Sequence, residues 1–149
     1  MFRHLLALLA LALCSTPLWA ANCSTTVLAN DAMQFNVANV NVPKSCATFT
    51  VTLKHTGAMP RNVMGHDWVL TSAADQVGVD ADAAQAGLEH EYIKPGDKRV
   101  IAATKVIGGG QTTSVSFKPA ALKAGTKYVF FCSFPGHSSM MHGTVTLVN

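Results

Sequence analysis

The stretch Thr48-Phe49-Thr50-Val51-Thr52-Leu53-Lys54-His55 places Phe49, Val51, Leu53 and His55 on one side and three threonines and a lysine on the other. Successive side chains of an extended chain point to opposite faces, so this segment reads as a β-strand with one buried and one solvated face. Thr113, Val115 and Phe117 repeat the alternation around Ser114 and Ser116, and 144–148 is rich in β-branched residues. In 128–132, Tyr128, Phe130 and Cys132 share one face while Val129 and Phe131 share the other. Both faces are apolar, which predicts an inner strand covered on both sides. Residues 36–42 and 99–107 are weaker strand candidates, and Pro43, Pro95-Gly96, Gly108-Gly109-Gly110 and Ala124-Gly125 supply turns. Many short strands separated by turns predict an all-β sandwich or barrel.

One segment departs from this pattern. Residues 73–87 are rich in alanine and aspartate, have only Val77 and Val79 as β-branched residues, and end at Gly87. A short helix is expected inside it, lying beside the sheets because it has too few large apolar residues to nucleate a core. At the N-terminus, Arg3 and His4 precede an apolar run from Leu5 to Leu13, followed by Ser15-Thr16-Pro17-Leu18-Trp19-Ala20. This reads as a signal peptide over residues 1–20, leaving 21–149 as one domain. A membrane-spanning helix needs about 20 apolar residues, and Ser15, Thr16 and Pro17 interrupt the run too early.

The whole chain has 149 residues, 49% of them hydrophobic and 13% charged, with a formal net charge of +3. Such a composition suits a globular core and argues against disorder. The basic residues are scattered apart from Lys98-Arg99, so the clustered footprint of a nucleic-acid-binding protein is missing. Beyond the leader there are three cysteines, Cys23, Cys46 and Cys132. In an exported protein two of them can pair and one thiol remains. Were Cys23 and Cys46 the pair, the closed loop would contribute about 3 kcal/mol on a chain-entropy model, with Cys132 left over.

The sharpest chemical signal is Cys132-Ser133-Phe134-Pro135-Gly136-His137-Ser138-Ser139-Met140-Met141, a thiol, an imidazole and two thioethers on one connection between strands. Five residues can extend up to about 17 Å, so Pro135-Gly136 must turn the chain back for Cys132 and His137 to meet. Two histidines and a cysteine with a weak axial methionine characterise electron-transfer copper, so a second histidine is required. His66, in Asn62-Val63-Met64-Gly65-His66-Asp67-Trp68, is the leading candidate, and Gly65 would let its own carbonyl approach a metal closely.

With Cys-x4-His-x3-Met at 132–141, Asn62 to His66, and Phe130-Phe131-Cys132, the chain resembles the cupredoxin family of small blue copper proteins from end to end of residues 21–149. The resemblance implies an eight-stranded Greek-key β-sandwich with a short helical flap, and one type 1 copper per chain. It implies His66, Cys132 and His137 as equatorial ligands, Met141 as a distant axial thioether, the Gly65 carbonyl opposite, and no role for Met140 as a ligand. Cys23 and Cys46 fall where relatives have their disulfide. It also implies a docking patch around His137 made by Met33, Met59, Val63, Met64, Phe134, Pro135, Gly136 and Met140, and a redox-linked titration of His55. Many relatives carry asparagine where this chain has Asp67.

The expected function is one-electron shuttling in the periplasm of a Gram-negative bacterium. Expected partners are c-type cytochromes and copper or haem oxidoreductases, met transiently by a monomer. No enzymatic activity is expected: a cysteine hydrolase would leave His66 and the methionine pair unexplained, and Phe131 and Ser133 flank Cys132 where a multicopper oxidase would need a His-Cys-His relay. Copper storage or delivery is the alternative function, although those tasks favour exchangeable, methionine-rich sites.

Overall fold

The computed structural model describes residues 21–149; the signal peptide expected at 1–20 lies outside the described residues. In chain order the elements are β1 (Ser24–Asn30), β2 (Gln34–Phe35), β3 (Asn39–Pro43), β4 (Phe49–His55), α1 (Arg61–Met64), β5 (Val69–Ser72), α2 (Gln76–Ala86), β6 (Ala102–Ala103), β7 (Thr112–Phe117), β8 (Tyr128–Phe131) and β9 (His142–Val148). They form two sheets, ordered β2-β1-β4-β7 and β3-β9-β8-β5-β6. The parallel pairs β1/β4 and β3/β9 arise because the chain crosses between sheets, as a Greek-key sandwich requires. The strand count is nine among the described residues, against the expected eight, with β2 and β6 only two residues long.

The alternation of β4 is realised in full. Phe49, Val51, Leu53 and His55 are buried, while Thr50, Thr52 and Lys54 face outward. Strand β8 runs between β5 and β9. Phe130 enters the main core, with Cys132 beyond the strand's end, and Phe131 joins Val69 and Val79 in a smaller cluster on the outer face. Helix α2 covers that face with Val79 and Ala83 and stops at Gly87, whose φ is +73°. Its place beside the sheet follows from this narrow apolar contact. Each fully buried valine or phenylalanine contributes about 1.5–3 kcal/mol relative to exposure.

Two weak strand expectations are corrected. In 36–42 pairing begins only at Asn39, because the Asn36 side chain accepts the Leu28 N–H at 2.7 Å while its own N–H bonds the Leu28 carbonyl. In 99–107 only Ala102–Ala103 is regular strand. The N–H groups of Ile101, Thr104 and Ile107 donate to the carbonyls of Leu70, Trp68 and His66. Three residues on one side therefore advance past two on the other, so the segment follows β5 through successive bulges. The Cys23–Cys46 disulfide is present, and Cys132 is the free thiol among the described residues.

At the centre of the sandwich Trp68 is fully buried and stacked with Phe130 at 5.7 Å and Phe117 at 6.3 Å between ring centroids. Among the described residues its indole N–H has no hydrogen-bond partner, while its main-chain N–H donates to the buried Thr104 hydroxyl at 2.9 Å.

Candidate metal centre

Cys132 follows the last residue of β8, and its N–H is bound to the Met141 carbonyl at 2.9 Å. That bond closes the 132–141 loop at its base. Within it the His137 N–H donates to the Phe134 carbonyl, Gly136 adopts φ +81°, and the N–H groups of Met140 and Met141 both donate to the His137 carbonyl. The tight turn expected at Pro135-Gly136 is what returns the chain so that His137 faces Cys132.

His66 arrives from the segment that leads into β5, the strand paired with β8 through Val69 and Phe131. It follows the single turn α1 and forms an isolated bridge with Ile107, with N–H···O bonds of 3.0 and 2.8 Å. Gly65 is required here by space: a Cβ would collide with the Arg61 carbonyl and Val106. Arg61 is held by Glu91, whose Oε2 accepts from Arg61 Nη2 at 2.6 Å and from the Val106 N–H at 2.7 Å.

The Cys132 Sγ lies 3.6 Å from His137 Nδ1, 3.8 Å from His66 Nδ1 and 3.9 Å from the Gly65 carbonyl oxygen. The three side-chain donor atoms lie within 4.8 Å of one another. With metal–nitrogen and metal–sulfur bonds of about 2.0 and 2.3 Å, a trigonal site separates nitrogen from sulfur by roughly 3.7 Å. The donor set therefore fits one ion with little rearrangement. Cys132, His66 and Met141 are 0% exposed, and His137 is 4% exposed.

The surroundings select the ligating forms. The His66 Nε2–H donates to the Asn30 carbonyl at 2.9 Å, leaving the Nδ1 lone pair toward the thiol. Burial lowers the His66 pKa to about 4, aided by the neighbouring charges of His55 and His137 and opposed by the Asn30 hydrogen bond. Burial also lowers that of His137. Both rings are thus neutral bases at neutral pH. Burial, followed by the charge of Asp67, raises the Cys132 thiol well above its ordinary value, so the free site keeps its proton and a metal must displace it.

Asp67 is fully buried; its carboxylate accepts the Ser133 N–H at 2.7 Å and the Ser133 hydroxyl. Burial raises its pKa to about 6 against these hydrogen bonds. His55 is buried as expected on the inner face of β4, with its ring stacked on His66 at 4.5 Å. Its Nδ1 accepts the Gly57 N–H and its Nε2–H donates to the Met64 carbonyl, both at 3.1 Å.

Of the residues expected around the mouth of the site, Met140 (58%), Val63 (49%) and Met59 (37%) are the most exposed large apolar side chains there. Pro135 and Gly136 are exposed, and Met33 and Met64 half-buried. Phe134 departs from the expected surface position. It is buried, with its ring 4.6 Å from that of His137 and edge-on to Tyr92 at 5.2 Å. His90 and His142 are exposed. The Asn30 carbonyl and the Glu91 bridge have no counterpart in the sequence reading, since a main-chain acceptor carries no residue signature.

Residues 21–148 match the family described as copper binding proteins, plastocyanin/azurin family. The chain belongs to the plastocyanin/azurin family. It is 54% identical over 147 residues to an azurin of Pseudomonas aeruginosa, covering 99% of both chains. With an azurin of Bordetella pertussis the identity is 53% over 150 residues, covering 100% of both. An azurin from the obligate methylotroph Methylomonas sp. strain J superposes with a TM-score of 0.84 at 50% identity, covering 87% of this chain and 100% of that one. Copper is the cofactor of this family member, and the His66, Cys132 and His137 donors suit it because soft thiolate and imidazole ligands favour copper over hard cations.

Proposed function

We propose that the chain is a periplasmic one-electron carrier, exported by the leader at residues 1–20 and acting as a monomer. The convergence of the His66, Cys132 and His137 donors inside a rigid sandwich carries this reading. Bound there, copper supplies a one-electron couple between its +1 and +2 states. Fixed ligands and excluded water keep the reorganisation that opposes electron transfer small, and the protein's part is to provide both. The bridge to Ile107 and the bond to Asn30 fix His66, the Met141 and Asp67 contacts fix Cys132 and the residue after it, and the turn fixes His137. Met141, fully buried at the base of the loop, would hold the ion weakly through its thioether, and the Gly65 carbonyl, 3.9 Å from Cys132 Sγ, would add a weak oxygen contact.

His137 is the ligand nearest the surface, and the apolar rim of Met33, Met59, Val63, Met64, Pro135, Gly136 and Met140, backed by Phe134, is the docking face. Apolar contact of this kind suits brief encounters with c-type cytochromes and copper or haem oxidoreductases. Among the described residues no helix is long and apolar enough to cross a membrane. Electron self-exchange measured by NMR line broadening, together with copper transfer to a chelator, tests the reading. Fast self-exchange with slow copper transfer is expected. Fast copper loss with slow self-exchange would favour storage or delivery.

A further inference from the structure

Each of the two ligands at the start and middle of the 132–141 loop is followed by a serine whose hydroxyl is held by an aspartate from another element. After Cys132, Ser133 is bound to Asp67. After His137, the Ser138 hydroxyl donates to Asp80 Oδ2 at 2.7 Å across 58 residues of chain. Asp80 lies in α2, so this bond joins the covering helix directly to the ligand loop. The Ser138 carbonyl also accepts from His142 Nδ1 at 2.9 Å, so the residue after His137 is gripped at two points.

The helix does not need Asp80 for its own attachment. Val79 and Ala83 pack on the sheet, Asp82 accepts from Arg99 at 2.6 Å and Lys94 at 3.1 Å, and Asp75 is bound to Ser72 at 2.6 Å. Among the described residues Asp80 forms no ion pair, and Ser138 is its side-chain partner. The ligand loop, in contrast, is otherwise held over the His137 turn mainly by its own short-range main-chain bonds. His66, Cys132 and Met141 are fully buried, so release of an ion requires this turn to lift.

We propose that Asp80 is a positioning residue for His137, holding Ser138 against α2 so that the ligand turn stays closed and copper leaves slowly. The inference rests on copper as the occupant. A hydrogen bond made only in the closed loop suppresses opening by its net strength, which corresponds to roughly a two- to tenfold change in the opening equilibrium.

The test compares wild type with Asp80→Ala, Ser138→Ala, the double variant, Asp80→Asn and Asp82→Ala. Copper transfer to excess chelator should be roughly two- to tenfold faster in each alanine single variant at the 80–138 bond. The double variant should be no faster than either single, because both remove one interaction. Asp80→Asn, whose amide oxygen still accepts, should stay within about twofold of wild type. Asp82→Ala should leave the rate unchanged. In metal-free protein, amide exchange at Met140 and Met141 should rise by the same factor in Asp80→Ala as copper transfer does. Unchanged amide exchange in Asp80→Ala, additive effects in the double variant, or equal acceleration by Asp82→Ala would overturn the proposal. A wild type that binds no copper would overturn the copper reading instead, and exchange in the metal-free protein would still decide the role of Asp80.

Discussion

His66 and His137 present the same nitrogen to the same thiol from unlike settings. His66 is fixed by a main-chain bridge to Ile107, a ring bond to Asn30 and a stacking contact with His55, all reached through the sheet core. His137 sits in a turn, and among the described residues no protein group bonds its Nε2. Its neighbours are the Phe134 ring and the Ser138–Asp80 bond to the flap. The sheet side supplies rigidity through burial, whereas the loop side supplies access while relying on a few polar ties.

Cutting packing on each side gives the largest contrast. Trp68→Ala, behind His66, should cost about 3–5 kcal/mol in urea denaturation of the metal-free protein. Val79→Ala, under the flap, should cost about 1–2 kcal/mol. Comparable losses would show that the flap is as deeply integrated as the core.

The two glycines beside the ligands separate the settings next. Gly65→Ala must displace the Arg61 carbonyl or Val106, so it should cost about 1–3 kcal/mol and disturb the His66 geometry. At Gly136 nothing lies within 4 Å of an added Cβ, and the penalty comes from φ +81° alone. Gly136→Ala should therefore cost about 1–2 kcal/mol and leave the copper spectrum unchanged, a difference that electron paramagnetic resonance would register.

Asp67 joins the two sides, since it follows His66 and holds Ser133. An ionised carboxylate beside the site favours the more positive copper state. Asp67→Asn should accordingly raise the reduction potential at neutral pH by something on the order of tens of millivolts in voltammetry. An unchanged or lowered potential would remove that electrostatic role.

The smallest effect concerns the flap's outer anchor. Hydrogen bonds from Arg99 hold the Asp97 carboxyl at about 2, below its ordinary value of 3.8. The folded pKa lies below the unfolded one, so the pairing stabilises fully above about pH 4 and is lost as pH falls toward 2. The difference in Tm between wild type and Asp97→Asn should close over that interval. A difference independent of pH would show that the ion pair contributes nothing specific.

How much was legible follows the same division. The strict alternation at 48–55 and the two apolar faces of 128–132 specify their strands because burial enforces a period of two. The ligand loop is legible because three soft donors lie within ten residues. The 99–107 segment misled because its bulges break that period while keeping the same residue types, and Asn36 displaced a strand start by using its side chain as a main-chain substitute. Single-turn α1 follows Pro60, whose φ is −69°, and has no buried residue to advertise it. The Asn30 carbonyl and the Ser138–Asp80 bond arise only when distant segments meet, so no local pattern encodes them.

The most direct measurement is the visible absorption spectrum of the metal-free protein after one equivalent of Cu(II), repeated with Cys132→Ser. An intense blue band from the thiolate–copper bond is expected in the wild type and should vanish in the variant. A colourless wild type, or a band that survives the loss of the Cys132 sulfur, would contradict a copper centre built on His66, Cys132 and His137.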